Sequence, residues 1–351
     1  MKCSTRRTYG RKSTERRHPL MVAVFAAGLV ATVGCAADPS PPAPTVPVNV
    51  ERDVVATQDL VSTAAEAAPA VDAAKVADYL DEMARLGENY STADLAVTTA
   101  EPNAGDVTIV APEGYAPVAV ETAQVEVDGG VNSGLGVAMA ETGEIAQPTS
   151  GSGFGFSGGV SARGMSRLGG TCATQYFDPA YPSKGNEDHR LTTCWEKWKS
   201  NSSSNYVYNR WAYFTKAPSA IGSSKTRDFT IRSRPWKGTE SRVTSMTGHT
   251  PAPSGSCGSS ANFSLSAGPA SISIPIHKCA SLKTLEDANR KSGGIDWNGE
   301  TSSQLFLDFA MGLTATSTPT YADYSWMEVQ YCEGSPCWAP SQYLKKADSG
   351  F

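Results

Sequence analysis

The sequence predicts a mainly β protein whose C-terminal half is a disulfide-stapled antiparallel β-sandwich. Three observations carry that expectation. Six of the eight cysteines, Cys172, Cys194, Cys257, Cys279, Cys332 and Cys337, follow residue 171, and so do all seven tryptophans. The same stretch repeats apolar residues with a period of two, the spacing that puts them on one face of a strand. It is punctuated by Gly, Pro and Ser and holds no long amphipathic helix, which favours short antiparallel strands over a helical or α/β architecture.

The chain opens with a leader. Residues 1–17 hold seven Lys or Arg against one Glu, and Leu20 to Gly34 is an apolar run of fifteen residues, short of the roughly 20 that span a bilayer as a helix. Residues 1–35 therefore read as a signal peptide. Its end, Thr32-Val33-Gly34-Cys35, resembles the lipobox of bacterial lipoproteins, in which the cysteine after a small residue takes lipid and becomes the mature N-terminus. Thr32 stands where that family prefers Leu. Cys35 is the expected lipid attachment point, with ordinary cleavage near Ala36-Ala37 as the alternative. Arg16-Arg17 resembles a twin-arginine signal only faintly, because Pro19 stands where that motif wants a bulky apolar residue. A body that needs disulfides fits unfolded export into an oxidising compartment. The expected location is extracellular or the cell envelope, anchored to the membrane if Cys35 is modified and secreted otherwise. In leader and composition alone, the chain resembles secreted proteins of high-GC Gram-positive bacteria.

Charge divides the rest. Residues 36–171 carry five basic and nineteen acidic residues and no tryptophan, whereas residues 172–351 carry eighteen basic and fifteen acidic, within an overall net charge of −5. The acidic stretch reads as a spacer followed by a small module. Residues 36–69 are rich in Pro and Ala, with five prolines between Pro39 and Pro47, the composition of an extended tether. Val54 to Ala67 is a candidate short helix. In residues 70–147, Val71, Ala74, Tyr79, Leu80, Met83 and Leu86 recur at helical spacing behind Pro69 and ahead of Gly87, which predicts a helix over 70–86. The runs Val107 to Val110, Val118 to Val120 and Val125 to Val127 predict a small β unit. Residues 148–170 are Gly/Ser-rich and read as a flexible linker.

The expected sandwich then occupies 171–351, ample for one hydrophobic core. Alternation in Phe229/Ile231, Phe263/Leu265, Ile272/Ile274/Ile276, Leu305/Leu307/Phe309/Met311 and Met327/Val329/Tyr331 marks strands, and Ala267-Gly268-Pro269 marks a hairpin. Thr284 to Lys291 reads as one or two helical turns. Six thiols allow fifteen connectivities; spacings of 22, 22 and five residues favour sequential pairing, each larger loop adding about 3 kcal/mol on the chain-entropy account.

Signals for chemistry are weak. Gly155-Phe156-Ser157-Gly158-Gly159 matches the nucleophile elbow G-x-S-x-G, but the elbow needs a strand and a helix around it and this copy sits in the linker. His189, His249 and His277 read as surface residues; the acidic neighbours of His189 could hold a cation or simply solvate a loop. The nearest cysteine pair, Cys332 and Cys337, lacks the spacing usual in structural zinc sites, so neither a metal nor a cofactor is expected. Asp296, Glu300, Asp308, Asp323, Glu328 and Glu333 are carboxylates without a known mutual distance, which keeps a glycoside or ester hydrolase as the alternative reading.

Two features point to binding. In Asn205 to Phe214, Tyr206, Tyr208 and Phe214 fall on one face of a strand while Trp211 and Tyr213 fall on the other, either beneath a second layer or open to a ligand. Arg232 and Arg234 share the face opposite Phe229 and Ile231, where they could meet an anionic polymer. The expected function is an exported surface binding or structural module, with a cell-wall glycan, anionic polymer or protein as its ligand and no nucleic acid.

Overall fold

Alternating apolar residues become strands over most of the chain in the computed structural model, which describes residues 50–56, 60–67, 69–127, 130–148, 150–151, 161–180, 188–218, 223–236, 238–250, 261–267, 270–276, 282–301, 304–332 and 344. The first strands are β1 Val50–Ala56, β2 Val61–Ala64, β3 Glu88–Asn89, β4 Leu95–Ala100, β5 Gly105–Pro112, β6 Tyr115–Val127 and β7 Gly130–Glu141, with helix α1 Ala70–Arg85 between β2 and β3. Next come β8 Ser150–Gly151, β9 Ser161–Arg163, β10 Met165–Pro179, β11 His189–Ser200, β12 Asn205–Thr215, β13 Ser223–Pro235 and β14 Val243–Thr250. The last are β15 Ala261–Ala267, β16 Ala270–Ile276, β17 Leu282–Thr284, β18 Gly293–Thr301, β19 Leu305–Ala315 and β20 Tyr321–Cys332.

Two antiparallel sheets dominate. One has the order β1-β6-β7-β20-β13-β18-β17, the other β14-β19-β12-β11-β10-β5-β4-β2. Their inner faces bury one core, to which the first sheet gives Val120, Leu135, Phe229, Ile231 and Val329 and the second Ile109, Leu191, Trp195, Tyr208 and Phe214. The mainly β class and the antiparallel sandwich follow the expectation. The expected hairpin is present as β15 and β16, in register from Ala261–Ile276 to Ala267–Ala270.

The expected domain boundaries do not separate the two halves. β5 pairs with β10 and β7 pairs with β20 over eleven residue pairs, so the acidic, cysteine-free segment completes both sheets. Within 36–69, β1 and β2 are the edge strands beside β6 and β4 and Ala65–Ala67 is a single 3-10 turn, where a helix over 54–67 was expected. Within 148–170 lie β8, β9 and the start of β10. Composition misled here because small residues are what this packing needs. On β7, a Cβ on Gly134 would lie 2.6 Å from the Trp326 ring, and one on Gly136 would lie 2.9 Å from the Tyr324 hydroxyl. The aromatic residues of β20 thus rest on the glycines of the cysteine-free half, and large against small fills space at interior density.

α1 forms close to the expected bounds. Val76, Tyr79 and Met83 make its buried stripe, and Gly87, at a φ of 86°, ends it in the left-handed conformation that glycine adopts freely. Residues 284–291 are not helical. The Asp287 side chain instead accepts the backbone N–H groups of Asn289 at 3.0 Å and Arg290 at 3.1 Å, which folds the segment into a turn by the local side-chain bonding that competes with helix.

Cys172 and Cys194 stand opposite each other on β10 and β11 and form a disulfide, Cα to Cα 4.0 Å. Cys332 is also disulfide-bonded. The expected Cys257–Cys279 and Cys332–Cys337 pairings, like the lipid site Cys35, involve residues outside the described ones.

Candidate functional site

A concavity of about 850 Å³ forms a groove between α1 and one end of the eight-stranded sheet. Its construction follows from strand alternation. On β10, Ala173 and Phe177 point into the sandwich while Cys172 and Tyr176 point outward beneath α1; Asp178, two residues on from Tyr176, shares that outer face. On β5 the same rule turns Asp106 and Thr108 outward. Asp106 and Asp178 are direct cross-strand partners, an arrangement of like charges that costs stability.

A third carboxylate, Asp188, comes from the residue before β11 and pairs with Lys75 of α1 at 3.0 Å. Asp178 feels all of these. Its carboxyl is held above the usual aspartate range, first by burial and then by Asp188 and Asp106, with Lys75 acting in the opposite direction. Along α1, Asp78 accepts from Arg190 at 2.7 Å and from the Tyr176 hydroxyl at 2.8 Å, and Asp72 accepts from Thr108 at 3.3 Å. With Glu101, the lining has six carboxylates against the three cations Lys75, Arg190 and Lys216. The groove is therefore an acidic recess with an aromatic residue at its floor. Among the described residues no three His, Cys, Asp or Glu side chains come together as a metal site.

Behind one wall lies His189, which is fully buried. Its Nδ1 accepts the Ala217 N–H at 2.8 Å, so the ring proton sits on Nε2, which bonds the Tyr331 hydroxyl. Burial, reinforced by Lys216, pushes the imidazole down to about 3. The loop reading of His189 is thus corrected: its neighbours Asp188 and Arg190 face the groove, while the imidazole packs between Phe177 and Phe214. His249 is buried as well, stacked on Phe309 with its Nε2 accepting the Gly294 N–H at 3.1 Å. His277 and the 155–159 motif lie outside the described residues.

Compared with known family models, curated proteins and solved structures, the chain gives no match.

The residues singled out in the sequence go to different places. Trp211 does lie on the outer face of β12, but α1 covers it, leaving it 1 % exposed in a cluster with Tyr79, Met83, Cys172 and Cys194. It is core, not a ligand platform. Tyr213, on the same face, is half-buried and donates to Glu82 of α1 at 2.6 Å. Arg232 and Arg234 are half-buried on β13; Arg234 borders a second, smaller pocket and neither lines the groove. The candidate catalytic carboxylates are dispersed. Asp323 is in the core, where it accepts from Tyr115 at 2.7 Å and Ser233 at 2.5 Å. Glu328 accepts from Asn132 at 2.7 Å and Glu300 from Arg227 at 2.7 Å. Asp296 accepts from Asn298 at 2.9 Å, and Glu333 lies outside the described residues. What sequence reasoning missed, Asp72, Lys75 and Asp78, recurs every three residues beside the apolar stripe of α1, a spacing that keeps them on one flank.

Proposed function

We propose that this chain is an exported, envelope-tethered binding protein that holds a positively charged ligand in the groove between α1 and the eight-stranded sheet. The observation that carries the reading is the cross-strand pair Asp106 and Asp178, joined by Asp188, in the lining of a concavity of about 850 Å³. Like charges placed opposite each other cost stability unless a counter-charge arrives, and a recess lined by one sign of charge concentrates ligands of the other. Of the partner classes expected from the sequence, a protein segment bearing Lys or Arg matches best. Its cations can reach the carboxylates while its aliphatic stems lie along Tyr176. The signal peptide and the candidate lipid attachment point Cys35 support the location, and the Cys172–Cys194 disulfide accords with an oxidising compartment.

A calorimetric titration with hexalysine tests it. The wild-type chain should bind hexalysine, fully acetylated hexalysine should not bind, and Asp178→Asn should weaken the affinity about tenfold with the fold intact. Binding that ignores acetylation, or that survives Asp178→Asn together with Asp106→Asn unchanged, would remove the groove from consideration.

A further inference from the structure

The sandwich has a second concavity at the other end of β20 from the groove. His189, behind the groove, bonds Tyr331 near the C-terminal end of that strand, whereas Arg234 of β13 stands opposite Ala322 at its start. The pocket there encloses about 470 Å³ and is lined by Arg234, Trp236, Glu240, Asn289, Arg290 and Lys291 together with Pro235. Three cations thus line it with one carboxylate, the reverse of the groove's balance, and Arg290 also pairs with Asp287 of its own turn, Nε to Oδ2 3.6 Å. Glu240 is partly engaged, accepting the Gly238 N–H at 2.7 Å.

Hydrogen bonds hold the backbone of both walls. One wall is the turn after β17, in which Asp287 and Ser292 exchange two backbone hydrogen bonds of 3.0 Å while the Asp287 side chain holds the N–H groups of Asn289 and Arg290. Within that turn Lys291 has a φ of 51°, the one positive φ outside glycine among the described residues. L side chains rarely adopt such a backbone, and held conformations of this kind cluster at ligand clamps. The opposite wall is pinned through Trp236, whose N–H donates to Thr320 at 2.9 Å and whose carbonyl accepts the N–H of Thr239 at 2.9 Å. Arg234 is anchored on a strand of the sheet. Preorganised donors lose less freedom on binding than mobile ones.

The side-chain chemistry is specific. An indole offers a flat apolar surface with a polar edge, guanidinium forks match carboxylate and phosphate oxygens in pairs, and the Asn289 amide and Glu240 carboxylate suit hydroxyl groups. The volume lies within the usual range of small-molecule sites. We infer that this pocket binds an acidic saccharide, a sugar ring that carries a carboxylate or a phosphate. The assignment is independent of the cationic ligand proposed for the groove.

Isothermal titration of the full chain tests it with four probes: trigalacturonate, glucose 6-phosphate, neutral cellotriose and an oligothymidylate. Binding of trigalacturonate or of glucose 6-phosphate supports the assignment if it weakens at least tenfold in Trp236→Ala and in Arg290→Gln and is unchanged in Asp178→Asn. Arg290 is exposed, so its variant keeps the fold even if Trp236→Ala does not. Failure of both acidic sugars to bind overturns the proposal, as does binding indifferent to Arg290→Gln. Cellotriose binding as tightly as trigalacturonate would show that the cations play no part. Oligothymidylate binding as tightly as the acidic sugars would reassign the pocket to a nucleic acid.

Discussion

Two side chains near the groove carry opposite consequences for stability. The folded pKa of His189, about 3, lies below the ordinary 6.5, so the folded state keeps a neutral imidazole that the unfolded chain protonates. Its contribution is complete above pH 6.5 and is lost as pH falls from about 6.5 towards 3, at about 1.4 kcal/mol per pH unit. Urea denaturation at half-unit steps should show this acid limb, and His189→Asn should flatten it; an unchanged limb would mean that other groups set it. Asp178 has the opposite sense. Its folded pKa is raised, so the stability tied to its neutral form is present below the unfolded value and lost as pH rises through the folded one. At neutral pH the ionised carboxylate is a burden, and Asp178→Asn should stabilise the chain by up to about 1 kcal/mol, the scale of a cross-strand charge contact. The same variant should bind hexalysine more weakly. Gain in stability with loss of binding is the signature of a residue kept for its ligand, and a drop in melting temperature would instead mark Asp178 as structural.

A buried arginine joins the two sheets. Arg210 of β12 donates to the Tyr324 carbonyl at 2.8 Å and to Ser325 at 2.6 Å, and its Nε lies 3.6 Å from Asp323. Removing one partner of a buried charge pair strands the other. Asp323→Ala should therefore cost about 3–5 kcal/mol in denaturant titrations, while a loss under about 1 kcal/mol would mean that water replaces the carboxylate.

At the scale of elements, what was legible in the sequence was what repeats locally. The apolar stripe of α1, the alternation in β13, β19 and β20, and the hairpin of β15 and β16 all show in residue spacing. The two faces of residues 205–214 were also legible, Tyr206, Tyr208 and Phe214 inward and Trp211 and Tyr213 outward. What spacing could not convey is that α1, more than 120 residues earlier, is the layer that covers Trp211. The pairing of β7 with β20 was hidden for a related reason. The alternation of Val131, Leu135, Val137 and Met139 is present, but its partner face consists of Gly134, Gly136, Ala138 and Ala140, and small residues resemble a linker until a tryptophan is placed on them. Gly134→Val should displace the Trp326 ring and lower stability by about 1–3 kcal/mol, the usual cost of overpacking. Thermal melts that match wild type would show that β7 and β20 do not meet in this register. The groove was the least legible feature. Its carboxylates come from α1, the residue after β4, β5, β10 and the residue before β11, and only the packing of these elements brings them together.

At the scale of the whole molecule, the division suggested by cysteines and charge becomes a division of labour within one sandwich. The cysteine-free half supplies β1 to β9, the start of β10, α1 and four of the groove's six carboxylates; the cysteine-bearing half supplies the disulfide, the tryptophans, and Asp178 and Asp188. All described residues fall in one compact unit covering 47–351. A chain beginning at residue 171 would leave β10 without β5 and β20 without β7, exposing two central strand edges. The most direct measurement is thermal unfolding, followed by near-ultraviolet circular dichroism, of residues 47–351 beside residues 171–351. A single cooperative transition is predicted for the longer chain, and no fixed aromatic signal or cooperative melt for the shorter one. A fragment 171–351 that melts cooperatively with the signal of the longer chain would contradict the account.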